Sequence, residues 1–249
     1  MATLRQTFSD IAGAIRAKGV SGTMKPIEMA DRIGEIKSLD GHGYLTFTAE
    51  EDTELTLVQN GGIAPHKLLK STDGGINWVK WENPSTNGIS LKAGDSVYIK
   101  ADEDASNRTS TSGNAFNSIA STGKVGCRGD VRSIINLDPS QYDFWLSKLF
   151  KGSSITTPPE FPAMNLTKGC YSDTFNTCTG LTTAPELPAT NLSQSCYAGM
   201  FAYCTSLINP PELPATTLAD YCYMWMFAGC KSLNNAPVLP ATTMNSQCY

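Results

Sequence analysis

Catalysis and metal binding need side chains that hold a proton, a metal or a covalent intermediate, and this chain has few of them in usable spacing. Its 249 residues include two histidines, His42 and His66, and eight cysteines. Both histidines are distant from the cysteines in sequence and no Cys-x-x-Cys pair occurs, so the ligand spacing of a zinc site is missing. No Gly-x-Ser-x-Gly, His-Glu-x-x-His or phosphate-loop pattern is present. No paired carboxylates stand out for glycoside hydrolysis. The reading is that the chain has no catalytic residues, no metal and no cofactor, and is not an enzyme.

Two short motifs carry a chemical association. Ser71-Thr-Asp73-Gly-Gly75-Ile-Asn-Trp78 fits S-x-D-x-G-x-x-W, the Asp-box pattern of sialidase-like propellers. A propeller would repeat the box in every blade, and here it occurs once. The expectation is a structural hairpin, with the Asp73 carboxylate folded onto backbone N–H groups of a tight turn and Trp78 packed beneath. Arg128-Gly129-Asp130 spells an integrin tripeptide, but it runs into apolar Val131, Ile134 and Ile135, which read as a strand.

The cysteines make sense as a ladder. Cys170, Cys196, Cys222 and Cys248 share one register of a 26-residue period, and Cys178, Cys204 and Cys230 share another. Phe175, Phe201 and Phe227 keep the same period, as do Leu181, Leu207 and Leu233 and the triplets beginning at Leu187, Leu213 and Leu239. A degenerate copy comes first, with Phe144-Trp145 in place of Cys-Tyr and Phe161-Pro162-Ala163 in place of Leu-Pro-Ala. A fixed period between 20 and 29 residues with recurring leucine predicts a leucine-rich-repeat solenoid. Tyr171, Phe175 and Cys178, at i, i+4 and i+7, predict one short helical segment facing the interior. The ladder cysteines are expected to be buried, reduced packing residues.

Columns that vary between repeats cannot be dictated by a shared core. Asp173, Gly199 and Trp225 form one, Thr177, Tyr203 and Gly229 a second, and Lys168, Gln194 and Asp220 a third. These should face solvent. Trp225, Met224, Tyr203, Asp220 and Gln194 are the candidate binding residues, because aromatic anchors dominate interface energetics. From residue 152 to 249 there are two Lys, no Arg and five Asp or Glu, while Ser, Thr and Asn supply 29 of the 98 residues. Such a surface suits contacts to glycan or protein.

The elements upstream must position this array. Phe8, Ile11, Ala12 and Ile15 predict one amphipathic helix, and Met29, Ala30, Ile33 and Ile36 a second after Pro26. Residues 1–40 thus read as a helical hairpin whose apolar faces need a partner or copies of themselves. Period-two alternation at 44–48, 53–57, 67–70, 76–81 and 96–100 predicts a small β-sandwich within 41–103. A Ser-, Thr-, Asn- and Gly-rich stretch opens a linker and cap at 104–143, and the repeats occupy 144–249. The fold class expected is α+β and multidomain. The last repeat stops at Cys248-Tyr249, so the natural chain is expected to continue or a partner to cover that end.

The pattern F-x-D-I-A-x-A-I-R-A-K-G followed by K-P-x-E-M-A-x-x-I resembles, from Phe8 to Ile36, an N-terminal module of tail and appendage proteins of tailed bacteriophages. The units C-Y-x-x-M-F-x-x-C-T-S-L-x-x-x-P-E-L-P-A-T-T-L resemble the BspA-like leucine-rich repeats of bacterial surface proteins and their phages. The resemblances imply adhesion rather than catalysis. They imply a virion structural protein, a tail fibre or baseplate appendage, that joins other tail or baseplate proteins through residues 1–40. A homo-oligomer, with a trimer favoured, follows by analogy with phage fibres. A bacterial cell-surface adhesin and a non-binding virion decoration or head fibre are the alternatives. The first residues lack the positive start and apolar run of a secretory signal, which fits synthesis in the host bacterial cytoplasm and residence in the virion.

Composition agrees with that reading. Charged residues are 17% of the chain and the net charge is −4, without a basic block, which predicts no nucleic-acid partner. No apolar run approaches the length of a bilayer span, which predicts no membrane insertion.

Overall fold

The computed structural model describes residues 43–58, 67–102, 118–134 and 143–249. The hairpin expected in residues 1–40 lies outside them. Alternation of inward and outward side chains builds the first region, as in β2 (Thr53–Val58), where Thr53, Leu55 and Leu57 are buried and Glu54 and Val58 are not. One sheet has the order β4 (Val79–Lys80), β3 (Leu68–Ser71), β6 (Ser96–Ala101), β1 (Leu45–Ala49), β8 (Val125–Arg128) and β9 (Ile155–Thr157). The other is β5 (Ile89–Leu91), β2 and β7 (Ser118–Ser121). Strands β7 and β8 complete both sheets from within the stretch read as linker and cap.

Strand β8 joins the two regions of the molecule. It pairs antiparallel with β1, Phe47 opposite Cys127. Its other edge runs parallel to β9, with Val125 opposite Ile155. The pairing continues through Asp130 and Glu160 into the first repeating coil. The core is continuous across this junction, with the Phe47 and Phe150 rings 6.2 Å apart. Val131–Ile134, read as a strand, is a 3-10 turn instead.

The expected fold class is overturned. The described residues contain no α-helix and consist of strands and turns, so the α+β assignment and its leucine-rich-repeat solenoid do not hold. The reason lies in where the N–H groups point. In residues 169–178 every second amide closes a turn on itself, Ser172 to Gly169 O at 3.1 Å and Cys178 to Phe175 O at 2.9 Å. The alternate amides leave the coil: Tyr171 donates to Cys196 O at 2.9 Å and Phe175 to Met200 O at 2.8 Å. A helix would need all of them bonded four residues back along its own chain. The segment is a ribbon of overlapping turns, half of whose hydrogen bonds tie each coil to the next.

Like side chains stack on one another along these coils. Phe150, Phe175, Phe201 and Phe227 stack at 5.4, 5.6 and 5.7 Å between ring centroids. Tyr171, Tyr197, Tyr223 and Tyr249 form a parallel column at 5.8–6.0 Å. The degenerate first copy sits in a different register from the one expected. Leu146 donates to Cys170 O and Phe150 to Thr174 O, one residue short of the later offset. Trp145 and Leu146, both buried, therefore take the places of Cys170 and Tyr171, and Phe144 lies against Gly169.

Candidate functional site

The alternating turns create columns of left-handed backbone that face outward. One runs through Asp173 (φ 56°), Gly199 (62°) and Trp225 (57°), and another through Thr177 (62°), Tyr203 (62°) and Gly229 (73°). These are two of the variable columns of the sequence. A side chain there costs about 1–2 kcal/mol relative to glycine, and exposed residues recover little of that by packing. Trp225 is 71% exposed and Tyr203 57%. Left-handed φ recurs from coil to coil, at Lys148, Ser195 and Tyr221 as well as in these two columns.

The columns also explain their glycines. A Cβ on Gly229 would come within 2.5 Å of the Tyr203 ring, and one on Gly199 within 2.5 Å of Asp173 Oδ1. A large side chain in one coil leans over the same column of the next, which must then be small. The result is a shallow groove of about 490 Å³. Ala198, Gly199, Ala202 and Ala228 line it, with Tyr203, Met224, Trp225, Asp173 and Asn176 around them. Asn176 Nδ2 donates to Asp173 Oδ1 at 2.8 Å, which fixes the carboxylate. No Lys or Arg borders the groove.

Three of the five candidate binding residues, Trp225, Met224 and Tyr203, therefore meet in one place. Gln194 and Asp220 do not. Both are exposed, and their carbonyls accept from Gly169 N at 2.9 Å and Ser195 N at 3.0 Å. Asp220 Oδ1 accepts from Ser246 N at 3.0 Å, which makes it part of the coil-to-coil ladder. Asp173 and Asn176 were missed as binding candidates. Asp173 shares the Trp225 column, and that was the available signal.

The candidate core residues stand inside. All eight cysteines are free. Cys170, Cys178, Cys196, Cys204 and Cys222 are buried and Cys230 is half-buried, as is Phe227. The second ladder has a hydrogen-bonding logic, since each thiol donates to a phenylalanine carbonyl. Cys178 Sγ reaches Phe150 O at 2.9 Å, Cys204 Sγ Phe175 O at 3.0 Å and Cys230 Sγ Phe201 O at 3.0 Å. Burial pushes the Cys178 and Cys196 thiols up to about 12 and Cys222 up to about 11. A nucleophilic cysteine needs the opposite shift.

The two motifs are structural. Asp73 Oδ1 accepts from Asn77 N at 3.0 Å and from the Ser71 hydroxyl at 2.6 Å, and Asp73 Oδ2 accepts from Asn77 Nδ2 at 2.6 Å. These bonds, the Asn77 amide foremost, hold the Asp73 carboxyl down at about 2. Trp78 Nε1 donates to Gly75 O at 2.9 Å, and the ring packs edge-on against Tyr44. In the tripeptide, Asp130 is tied to Arg132 by a 2.6 Å ion pair. Among the described residues, no group of three His, Cys, Asp or Glu is placed to hold a metal ion.

Comparison with family models, with curated proteins and with solved structures found no match.

Proposed function

We propose that this chain is a bacteriophage virion structural protein, a tail-fibre or baseplate appendage whose coil stack recognises the surface of the host cell. The observation that carries the reading is the groove between Tyr203, Met224 and Trp225. It sets a strained, exposed indole on a rigid scaffold with a fixed carboxylate nearby. Preorganised aromatic anchors of this kind supply recognition at low ordering cost. The resemblance of residues 8–36 to phage appendage modules supports attachment to other tail or baseplate proteins through residues 1–40 and assembly as a homo-oligomer, with a trimer favoured. The resemblance of the repeat units to BspA-like surface proteins supports adhesion. Several copies on one particle would turn weak contacts into avidity gains of roughly 10²–10⁴.

The test uses the full chain, because β7 and β8 build both sheets and run into the first coil. Purified protein should compete with the parent particle for susceptible cells, and Trp225→Ala should weaken that competition. A folded chain that never competes makes the stack a spacer or decoration. Light scattering on a chain lacking residues 1–40 should show a smaller assembly, and an unchanged mass would move assembly elsewhere.

A further inference from the structure

The chemistry of the groove narrows its occupant. The groove runs along the stack from Asp173 and Asn176 in one coil, past Tyr203 in the next, to Met224 and Trp225 in the third. Equivalent side chains in successive coils repeat at a comparable step, with the Phe175, Phe201 and Phe227 ring centroids 5.6 and 5.7 Å apart. Two such steps match two linked six-membered sugar rings. An exposed aromatic face stacks on the C–H face of a pyranose, and a fixed carboxylate accepts from its hydroxyls. The alternative of a protein partner is disfavoured by the lining. Protein hot spots bury an anchor in a desolvated pocket, whereas Ala198, Gly199, Ala202 and Ala228 make the floor of this groove shallow beside Trp225.

Charge narrows the class further. Asp173 is the single charged residue of the groove, and residues 152–249 contain two Lys and no Arg. An anionic sugar would find no countercharge there and would meet a carboxylate. The geometry points to a neutral, hydroxyl-rich saccharide two pyranose rings long as the occupant of this groove. The inference rests on the recognition reading above.

The test titrates the full chain with lactose, cellobiose, maltose and chitobiose, followed by tryptophan fluorescence and by saturation-transfer NMR. Sialyllactose serves as the anionic counterpart. At least one neutral disaccharide should bind with a Kd of about 1 mM, or about −4 kcal/mol. Binding should fall about tenfold or more in Trp225→Ala and in Asp173→Asn, persist in Trp225→Phe, and be unchanged in Gln194→Ala. Sialyllactose should bind more weakly than lactose. Failure of all four neutral sugars at tens of millimolar overturns the inference. So does binding that ignores both groove variants, or sialyllactose binding as tightly as lactose. Cell competition with the same preparations separates the two readings. If Trp225→Ala loses competition while no sugar binds, recognition stands and the saccharide assignment fails. If the folded chain neither competes nor binds sugar, both fail.

Discussion

The sandwich and the coil stack bury comparable side chains by different rules. In the sandwich each strand has its own partners, so Leu55, Phe47 and Ile99 occupy unlike surroundings and each position is specified once. In the stack, phenylalanine sits on phenylalanine and tyrosine on tyrosine, and one solution is copied from coil to coil. The difference teaches where variation can go. A strand alternates inward and outward residues, so a surface change sits one residue from the core on either side. The stack gathers its freedom into left-handed columns that touch chiefly their own neighbours. Exposed residues can change there with only their column neighbours to accommodate, and Trp225 and Tyr203 stand on those columns.

The largest expected contrast is with pH. Folded Cys178 and Cys196 stay protonated up to about pH 12, whereas unfolded thiols ionise near 9. Their contribution is complete below pH 9 and declines as pH rises toward 12, by about 1.4 kcal/mol per pH unit for each buried thiol. Asp73 in the sandwich has the opposite sign. Its carboxyl, at about 2 against an ordinary 3.8, supports the fold above that range and ceases to do so as pH falls through 2. Melting curves from pH 2 to 11 should therefore show loss of the stack at the alkaline end. A stack as stable at pH 11 as at pH 8 would contradict the buried-thiol ladder.

Phe201→Ala should cost about 3–5 kcal/mol, measured by denaturant unfolding. Hydrogen exchange should localise the damage to the coils around Phe175 and Phe227 and spare β1 and β6, because repeats interact with nearest neighbours. Gly169→Ala should cost about 2 kcal/mol, since its new methyl would overlap the Phe144 ring at a left-handed position. Adding Phe144→Ala should recover part of that loss, and a purely additive pair would remove the steric explanation. Tyr197→Phe should have the smallest effect, within about 1 kcal/mol and of either sign. The Tyr197 hydroxyl is buried without a partner, as are those of Tyr171 and Tyr223.

What was legible in the sequence was translational. A residue type that recurs every 26 positions can meet its own copy only if the coils stack, so the Phe, Tyr and Cys columns could be read from spacing. Backbone conformation could not. Tyr171, Phe175 and Cys178 share a face in a helix and equally in a ribbon of overlapping turns, and only the direction of the amides separates the two. The sequence held only a weak signal against a helix, Gly199 in the column of Asp173 and Trp225, because glycine adopts left-handed backbone readily. The one-residue offset of the first coil was hidden because Phe144-Trp145 looks like an aromatic copy of Cys-Tyr. Only the ladder, Leu146 to Cys170 O, reveals the shift. The groove was half legible: variation exposed Trp225 and Tyr203, but Gln194 and Asp220 vary equally and lie outside its lining.

The central claim is that the left-handed columns carry recognition and leave stability to the core. Trp225→Ala in the full chain, assayed for melting temperature and for competition with the parent particle on host cells, tests it most directly. The account predicts a melting temperature essentially unchanged, because Ala keeps the Cβ at the left-handed position and the indole it replaces is 71% exposed, together with competition weakened about tenfold. A variant that unfolds, or one that competes as well as the original chain, would contradict it.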